Sequence, residues 1–261
     1  MKRPIGIFDS GLGGLTVLYA LQKAYPEESF IYMGDTKRAP WGSKSREELV
    51  LVTDEIVDFL TSKHIKSLVV ACNTSCSLVF DHISKKTAIP TFGLIEPSCK
   101  DAINKTLTNR IAVLGTTGTI SSKAYTKTLT SLHPSLDILE LECPELVPFV
   151  ESNQITSQKS ISKVTHYLDK VQNFGADTLI LGCTHYPFFQ PLIRSIHPNL
   201  TLVNPANSIL SVMSPFMISS SHPTIEFWVS GNPDSFSAFI SEHFNWPTSK
   251  VKQYQPTLAT P

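Results

Sequence analysis

The sequence predicts an α/β protein built on parallel sheets. Three observations carry that prediction. Short apolar strand candidates alternate with helix candidates from the start; two strands end in the related segments SLVVACNTS (67–75) and TLILGCTHYP (178–187); and the order of features repeats about halfway along the chain. An open parallel sheet binds ligands at the carboxyl ends of its strands. Cys72 and Cys183 stand at two such ends, which suggests two thiols facing one substrate.

The elements follow in order. Ile5 to Phe8 reads as a first strand and Gly11-Leu12-Gly13-Gly14 as a turn, after which Leu15, Leu18 and Tyr19 begin a helical face that Pro26 ends. Phe30 to Met33 is a second strand, finishing at Gly34-Asp35-Thr36. Ser45 with Glu48 three residues later is a capping-box signature, each side chain satisfying the other's free backbone N–H, and the helix it opens runs to about Ser62. Next come the strand Ser67 to Ala71, a helix through Val79 and Ile83, and the strand Thr91 to Ile95.

A second unit then repeats the first. Arg110 to Leu114 followed by Gly115-Thr116-Thr117-Gly118-Thr119 echoes Ile5 to Phe8 followed by Asp9-Ser10-Gly11. Leu136 to Leu141 echoes Phe30 to Met33, and Thr178 to Cys183 echoes Leu68 to Cys72. The offsets are 106 (Gly6 to Ala112), 108 (Asp35 to Cys143) and 111 (Cys72 to Cys183), near-constant as in a duplicated domain. A strand at Leu200 to Val203, a helix and the strand Ile225 to Val229 close the chain, and this last stretch is expected to pack back on the first unit. The expected domains are therefore 1–95 with 208–261, and 96–207. The ending 255–261 lacks periodicity and is expected to fray.

Composition narrows the function. The 22 basic and 22 acidic residues cancel and no basic tract occurs, so neither nucleic acid nor an acidic membrane is an expected partner. A small molecule is. The first nine residues lack the apolar core of a signal peptide, and no stretch approaches the ~20 apolar residues of a membrane span. A cytoplasmic location is expected. Cys72, Cys76, Cys99, Cys143 and Cys183 form an odd, widely spaced set that suits reduced thiols better than disulfides.

Each motif has a bland reading beside a functional one. Asp9-Ser10-Gly11-Leu12-Gly13-Gly14 can cradle an anion or let Asp9 hold an ammonium group, or it is only a tight strand-to-helix turn. Gly34-Asp35-Thr36 and Pro40-Trp41-Gly42-Ser43 read, taken alone, as an ordinary loop. A single cysteine after an apolar strand is most often a small buried residue. Two in matching contexts favour chemistry: each precedes a helix start, and His185 lies two residues from Cys183, both settings that lower a thiol pKa from its usual ~8.5. Zinc is the chemical rival, since Cys72, Cys76, Cys183 and His185 make a Cys₃His set, but the second half offers no matching close pair and no metal is expected. Glu151 is a lone acid after an apolar run.

Together these motifs resemble the glutamate racemase family, within the cofactor-independent aspartate/glutamate racemase superfamily. The pieces are GIFDSGLGG (6–14), Gly34-Asp35-Thr36, Pro40-Trp41-Gly42, Ala71-Cys72-Asn73-Thr74, Glu96-Pro97, Gly118-Thr119-Ile120, Val147-Pro148 to Glu151 and Gly182-Cys183-Thr184-His185-Tyr186-Pro187. The resemblance implies two pseudosymmetric α/β domains with the active site between them and one catalytic thiol from each. It implies racemisation of glutamate without a cofactor: one cysteine thiolate removes the Cα proton and the other thiol returns a proton to the opposite face, giving D-glutamate for peptidoglycan synthesis.

By the same resemblance Asp9 and Asp35 assist Cys72, and Glu151 and His185 assist Cys183. Ser10, Trp41, Gly42, Asn73, Thr74, Thr116, Thr119 and Thr184, with Asp9 and His185, contact substrate. Cys72 would act on D-glutamate, Cys183 on L-glutamate, and a homodimer is expected. Trp41 stands where the family usually has Tyr, and Asn204 and Asn232 where aspartate is common. The alternatives are a sister racemase or isomerase acting on aspartate or another carboxylate, a thiol hydrolase or decarboxylase using one cysteine, and a non-catalytic binding protein.

Overall fold

The computed structural model describes residues 3–217, 220–244, 246 and 251–257. The first unit runs β1 (Ile5–Asp9), α1 (Leu15–Ala24), β2 (Phe30–Gly34), α2 (Arg46–Ser62), β3 (Ser67–Val70), α3 (Asn73–Leu78), α4 (Phe80–Lys86) and β4 (Thr91–Phe92). The second runs α5 (Ile95–Lys105), β5 (Arg110–Gly115), α6 (Thr117–Ser121), α7 (Ala124–Leu132), β6 (Asp137–Glu142), α8 (Leu146–Glu151), α9 (Gln158–Phe174), β7 (Thr178–Gly182), a 3₁₀ turn (Tyr186–Phe189), α10 (Gln190–Ile196) and β8 (Thr201–Val203). After α11 (Pro205–Ser208) and α12 (Leu210–Met213) come β9 (Ile225–Val229), α13 (Pro233–Phe244) and β10 (Lys252–Gln253).

The strands form two sheets, ordered β10-β9-β2-β1-β3-β4 and β6-β5-β7-β8, and every ladder is parallel. The α/β class with parallel sheets is as expected. Each unit contributes the same order: Ile7 of β1 pairs with Tyr32 and Val69, and Val113 of β5 pairs with Glu140 and Ile180. The duplication read from constant offsets is therefore a duplication of topology. β9 then pairs with β2, extending the first sheet at its edge.

Strands β1, β2, β3 and β7 are buried along their whole length, as strands covered by helices on both faces must be. The capping box forms: Ser45 Oγ accepts from the Glu48 N–H while Glu48 accepts from the Ser45 N–H. Three expectations are corrected. The helix through Val79 and Ile83 is two helices, because Val79 leaves helical geometry at φ −134°, ψ 10°. The strand expected from Thr91 to Ile95 stops at Phe92, because Ile95 already opens α5. The chain does not close at Val229: Asn232 Oδ1 accepts the Asp234 N–H and opens α13, and the short polar β10 gives no periodic signal. Among the described residues no helix is long and apolar enough to cross a membrane.

Candidate active site

Both thiols line one cleft between the two sheets. Cys72 follows β3 as the residue that starts α3, and Cys183 follows β7 just before the 3₁₀ turn. The cleft is small, about 100 Å³ of space open to water-sized groups. Ser10, Trp41, Gly42, Asn73, Thr74, Thr116, Thr184 and His185 share its wall with the two cysteines.

The Cys183 side carries a chain of three groups. Cys183 Sγ lies 3.7 Å from His185 Nδ1, and His185 Nε2 lies 2.6 Å from Glu151 Oε1. Burial works against a charged His185 ring, yet its bonds to Cys183 and Glu151 hold its pKa well above the ordinary value. Burial likewise opposes ionisation of Glu151, but the bond to His185 wins and lowers its pKa. The outcome is an imidazolium held between a carboxylate and a thiol sulfur.

The Cys72 side is arranged differently. Burial, and then the negative charge of Asp9, push the Cys72 thiol up to about 12. Asp9 is fully buried; its Oδ2 accepts the N–H groups of Gly11 at 3.1 Å and Gly14 at 2.9 Å, and the Thr184 hydroxyl lies 3.4 Å from Oδ1. Burial raises the Asp9 pKa, with His185 and the Gly14 and Gly11 N–H groups pulling the other way. At neutral pH this side offers a proton donor.

The glycine turn decides how closely the two sides meet. A Cβ on Gly11 would sit 2.6 Å from Glu151 Oε1, and one on Gly13 would sit 2.5 Å from both His185 Nδ1 and Thr184 Oγ1. Glycine is needed there because a backbone from the first unit lies against functional groups of the second. The Leu12 N–H also donates to Glu151 at 3.2 Å. The turn therefore packs against the His185–Glu151 pair, while its N–H groups at Gly11 and Gly14 are already bound to Asp9.

Two cysteines from equivalent strand ends line one cleft, in a chain that matches a known group of enzymes. Residues 16–209 match the Asp/Glu/Hydantoin racemase family. The chain belongs to that family. It is an amino-acid racemase. A glutamate racemase of Enterococcus faecalis is 38% identical over 261 residues, covering 97% of this chain and 96% of its own. The crystal structure of glutamate racemase isoform RacE1 from Bacillus anthracis superposes with a TM-score of 0.90 at 32% identity, over 98% of each chain. That of glutamate racemase from Francisella tularensis in complex with D-glutamate gives 0.85 at 27% identity, over 99% of this chain and 98% of its own.

A racemase of this family must also hold its substrate, and the cleft wall carries polar groups that could do so. Tyr125 OH donates to Asn73 Oδ1 at 2.7 Å, which fixes the amide and leaves the buried Nδ2 without a partner. Thr74 and Thr116 hydroxyls meet across the units at 3.0 Å. The Gly42 carbonyl accepts from the Gly118 N–H at 2.8 Å, tying the Trp41-Gly42 loop to α6.

Four expected site residues are absent from the cleft wall: Asp9, Asp35, Glu151 and Thr119. Asp9 and Glu151 stand behind it through the contacts above. Thr119 Oγ1 accepts from Thr116 Oγ1 at 3.0 Å, a support for a wall residue. Both oxygens of Asp35 are engaged: Oδ2 accepts Arg38 Nε at 2.8 Å and Oδ1 accepts Ser230 Oγ at 2.6 Å, because a buried guanidinium needs a counter-charge. Cys76 also turns elsewhere, its Sγ donating to the Val70 carbonyl at 3.2 Å. Sequence reasoning missed the wall residues Ser43, Thr117, Pro144, Val147 and Pro148; only the Cys-Pro and Val-Pro pairs bordering Glu151 gave a signal.

Proposed function

We propose that this chain interconverts L- and D-glutamate without a cofactor, by proton transfer at Cα between Cys183 and Cys72, and that the D-glutamate supplies peptidoglycan synthesis. The observation that carries the reading is the pair of thiols, one at the end of each parallel sheet, lining a single cleft. Residues 1–95 with 208–261, and 96–207, are the two domains that hold the substrate between them.

In the L-to-D direction a Cys183 thiolate takes the Cα proton: an S–H bond forms, the Cα–H bond breaks and its electron pair stays on carbon. Cys72 then gives its thiol proton to the opposite face and keeps the S–H electron pair. The inequality of the two sides supports this assignment, since the imidazolium of His185 stands beside Cys183 while Cys72 holds its proton up to about pH 12. Positioned acid–base groups supply ~10²–10⁴-fold. Stabilisation of the charge developing beside the substrate carboxylate must supply the rest, and Asn73 Nδ2, buried and without a partner, is the donor at hand. The substrate is assigned from the named relatives, with aspartate or another carboxylate as the competing reading.

Incubation with L-glutamate in deuterated water, with no added pyridoxal phosphate or metal, is expected to yield D-glutamate carrying deuterium at Cα. Product without deuterium, racemisation undiminished in Cys72→Ala or Cys183→Ala, or faster turnover of aspartate than of glutamate, would each sink the corresponding part.

A further inference from the structure

Tyr125 is fully buried and absent from the wall of the reactive cleft, yet it touches the neighbours of both thiols. Helix α7, which carries it, starts after Lys123 turns the chain in the left-handed conformation at φ 58°. The Tyr125 hydroxyl crosses from the second unit to the first and donates at 2.7 Å to Oδ1 of Asn73, the residue directly after Cys72. Its ring packs on Gly182, the residue directly before Cys183: a Cβ there would lie 3.1 Å from Tyr125 Cε2.

An asparagine amide has two ends of opposite character, an acceptor oxygen and a donor nitrogen. Asn73 lines the cleft, and its backbone is fixed at the start of α3, where its carbonyl accepts the Ser77 hydroxyl at 2.7 Å. With Oδ1 taken by Tyr125, the end left over is Nδ2, buried and without a partner. A buried donor with no acceptor is costly. An acceptor arriving with the substrate removes that cost.

We propose that Tyr125 is a positioning residue for racemisation: its hydroxyl holds the Asn73 amide with Nδ2 turned to the substrate, to donate to the carboxylate beside Cα as negative charge spreads onto it. The inference rests on the two-thiol reading and names the group that orients its charge-stabilising donor. Without the hydroxyl, Oδ1 is left unpaired. Half a turn about the last side-chain bond, which has a broad two-fold preference, then presents that oxygen to the substrate carboxylate, repulsion in place of a hydrogen bond.

A donor that acts on developing charge lowers kcat and kcat/KM together when it is lost, and leaves KM alone. Asn73→Ala is expected to lower kcat from L-glutamate ~100-fold. Tyr125→Phe keeps the ring on Gly182 and removes only the hydroxyl; it should lower kcat ~10-fold, since the freed amide still presents Nδ2 part of the time. Its KM should stay within about twofold of the unmodified enzyme. The decisive variant carries both changes. A hydroxyl that acts through the amide costs nothing further once Asn73 is alanine, so the double variant should match Asn73→Ala. Losses that multiply to ~1,000-fold show a packing role and overturn the proposal. So does an undiminished kcat in folded Tyr125→Phe, or a loss that falls on KM alone.

Asn73→Asp gives an arm that does not depend on the folding of the Tyr125 variants. It keeps an acceptor for Tyr125 and replaces the donor nitrogen by an anionic oxygen, so kcat should fall at least as far as in Asn73→Ala; a kcat above that of Asn73→Ala overturns the donor role. Cys72→Ala in the same assay separates the underlying reading. If it abolishes racemisation while Tyr125→Phe is unimpaired, the positioning role alone fails; if racemisation survives it, the two-thiol scheme fails and the proposal with it.

Discussion

An alanine at Gly13 is expected to disable the Cys183 side while leaving the fold in place. Its Cβ would lie 2.5 Å from His185 Nδ1 and Thr184 Oγ1 and 2.7 Å from His185 Cε1, where ordinary contact begins at 3.4 Å. Something must move by about 1 Å, and a misplacement of that size costs ~10²-fold in rate. His185 is pinned on its far side by Glu151, so the ring or the turn must yield and the 3.7 Å approach to Cys183 is lost. Overpacking costs about 1–3 kcal/mol, a fall of several degrees in Tm at ~2–4 °C per kcal/mol. Gly6→Ala is the control: its Cβ would meet Ile65 Cδ1 at 2.6 Å, the movable end of an apolar side chain with no functional group. Steady-state racemisation with chiral separation of products, beside calorimetry, should show a ~100-fold loss of kcat/KM in Gly13→Ala and none in a folded Gly6→Ala. Unmodified kcat/KM in a folded Gly13→Ala protein would refute the claim that the glycine is needed to clear the His185 ring.

Three further outcomes are expected. With its pKa pushed up to about 12, Cys72 should be alkylated by iodoacetamide ~10³-fold more slowly at pH 8 than an ordinary thiol, the rate rising with pH; mass mapping that finds Cys72 modified at an ordinary thiol's rate contradicts the burial argument. The sign for stability follows: folded Cys72 keeps a proton that the unfolded chain releases above ~8.5. Its contribution is therefore present below that pH and lost as pH rises towards about 12, to be read from urea midpoints across the alkaline range. Glu55→Ala removes the acceptor of Arg38 Nη1 at 2.6 Å and of the Tyr254 and Thr257 hydroxyls at 3.0 and 2.8 Å. Leaving a buried guanidinium half-paired costs ~3–5 kcal/mol, so a drop of about 10 °C in Tm is expected, with faster hydrogen exchange in residues 251–257. An unchanged melting curve would show the network to be idle.

Strands and caps were legible because they are written locally. The apolar runs before Cys72 and Cys183 need no partner to be recognised, and Ser45 with Glu48 closes its capping box within one turn of helix. The break at Val79 was not legible, because Phe80 and Ile83 continue a helical pattern and only the backbone turns aside. Asp35 reads from its own segment as an ordinary turn residue; that Arg38, three residues on, and Ser230, far along the chain, engage both its oxygens is a relation no local pattern carries. Pro144, Val147 and Pro148 line the cleft without any local pattern that says so, since lining a cleft is a relation between elements.

The sequence by itself determined the α/β class, the duplicated order of strands and the positions of two thiols at strand ends, because apolar periodicity and turn chemistry act over a few residues. The tertiary structure alone decided what the glycines are for. Gly11 and Gly13 read as a tight turn or an anion cradle, and they meet Glu151 and His185 from the other unit, contacts that exist only once two sheets have folded and closed on each other.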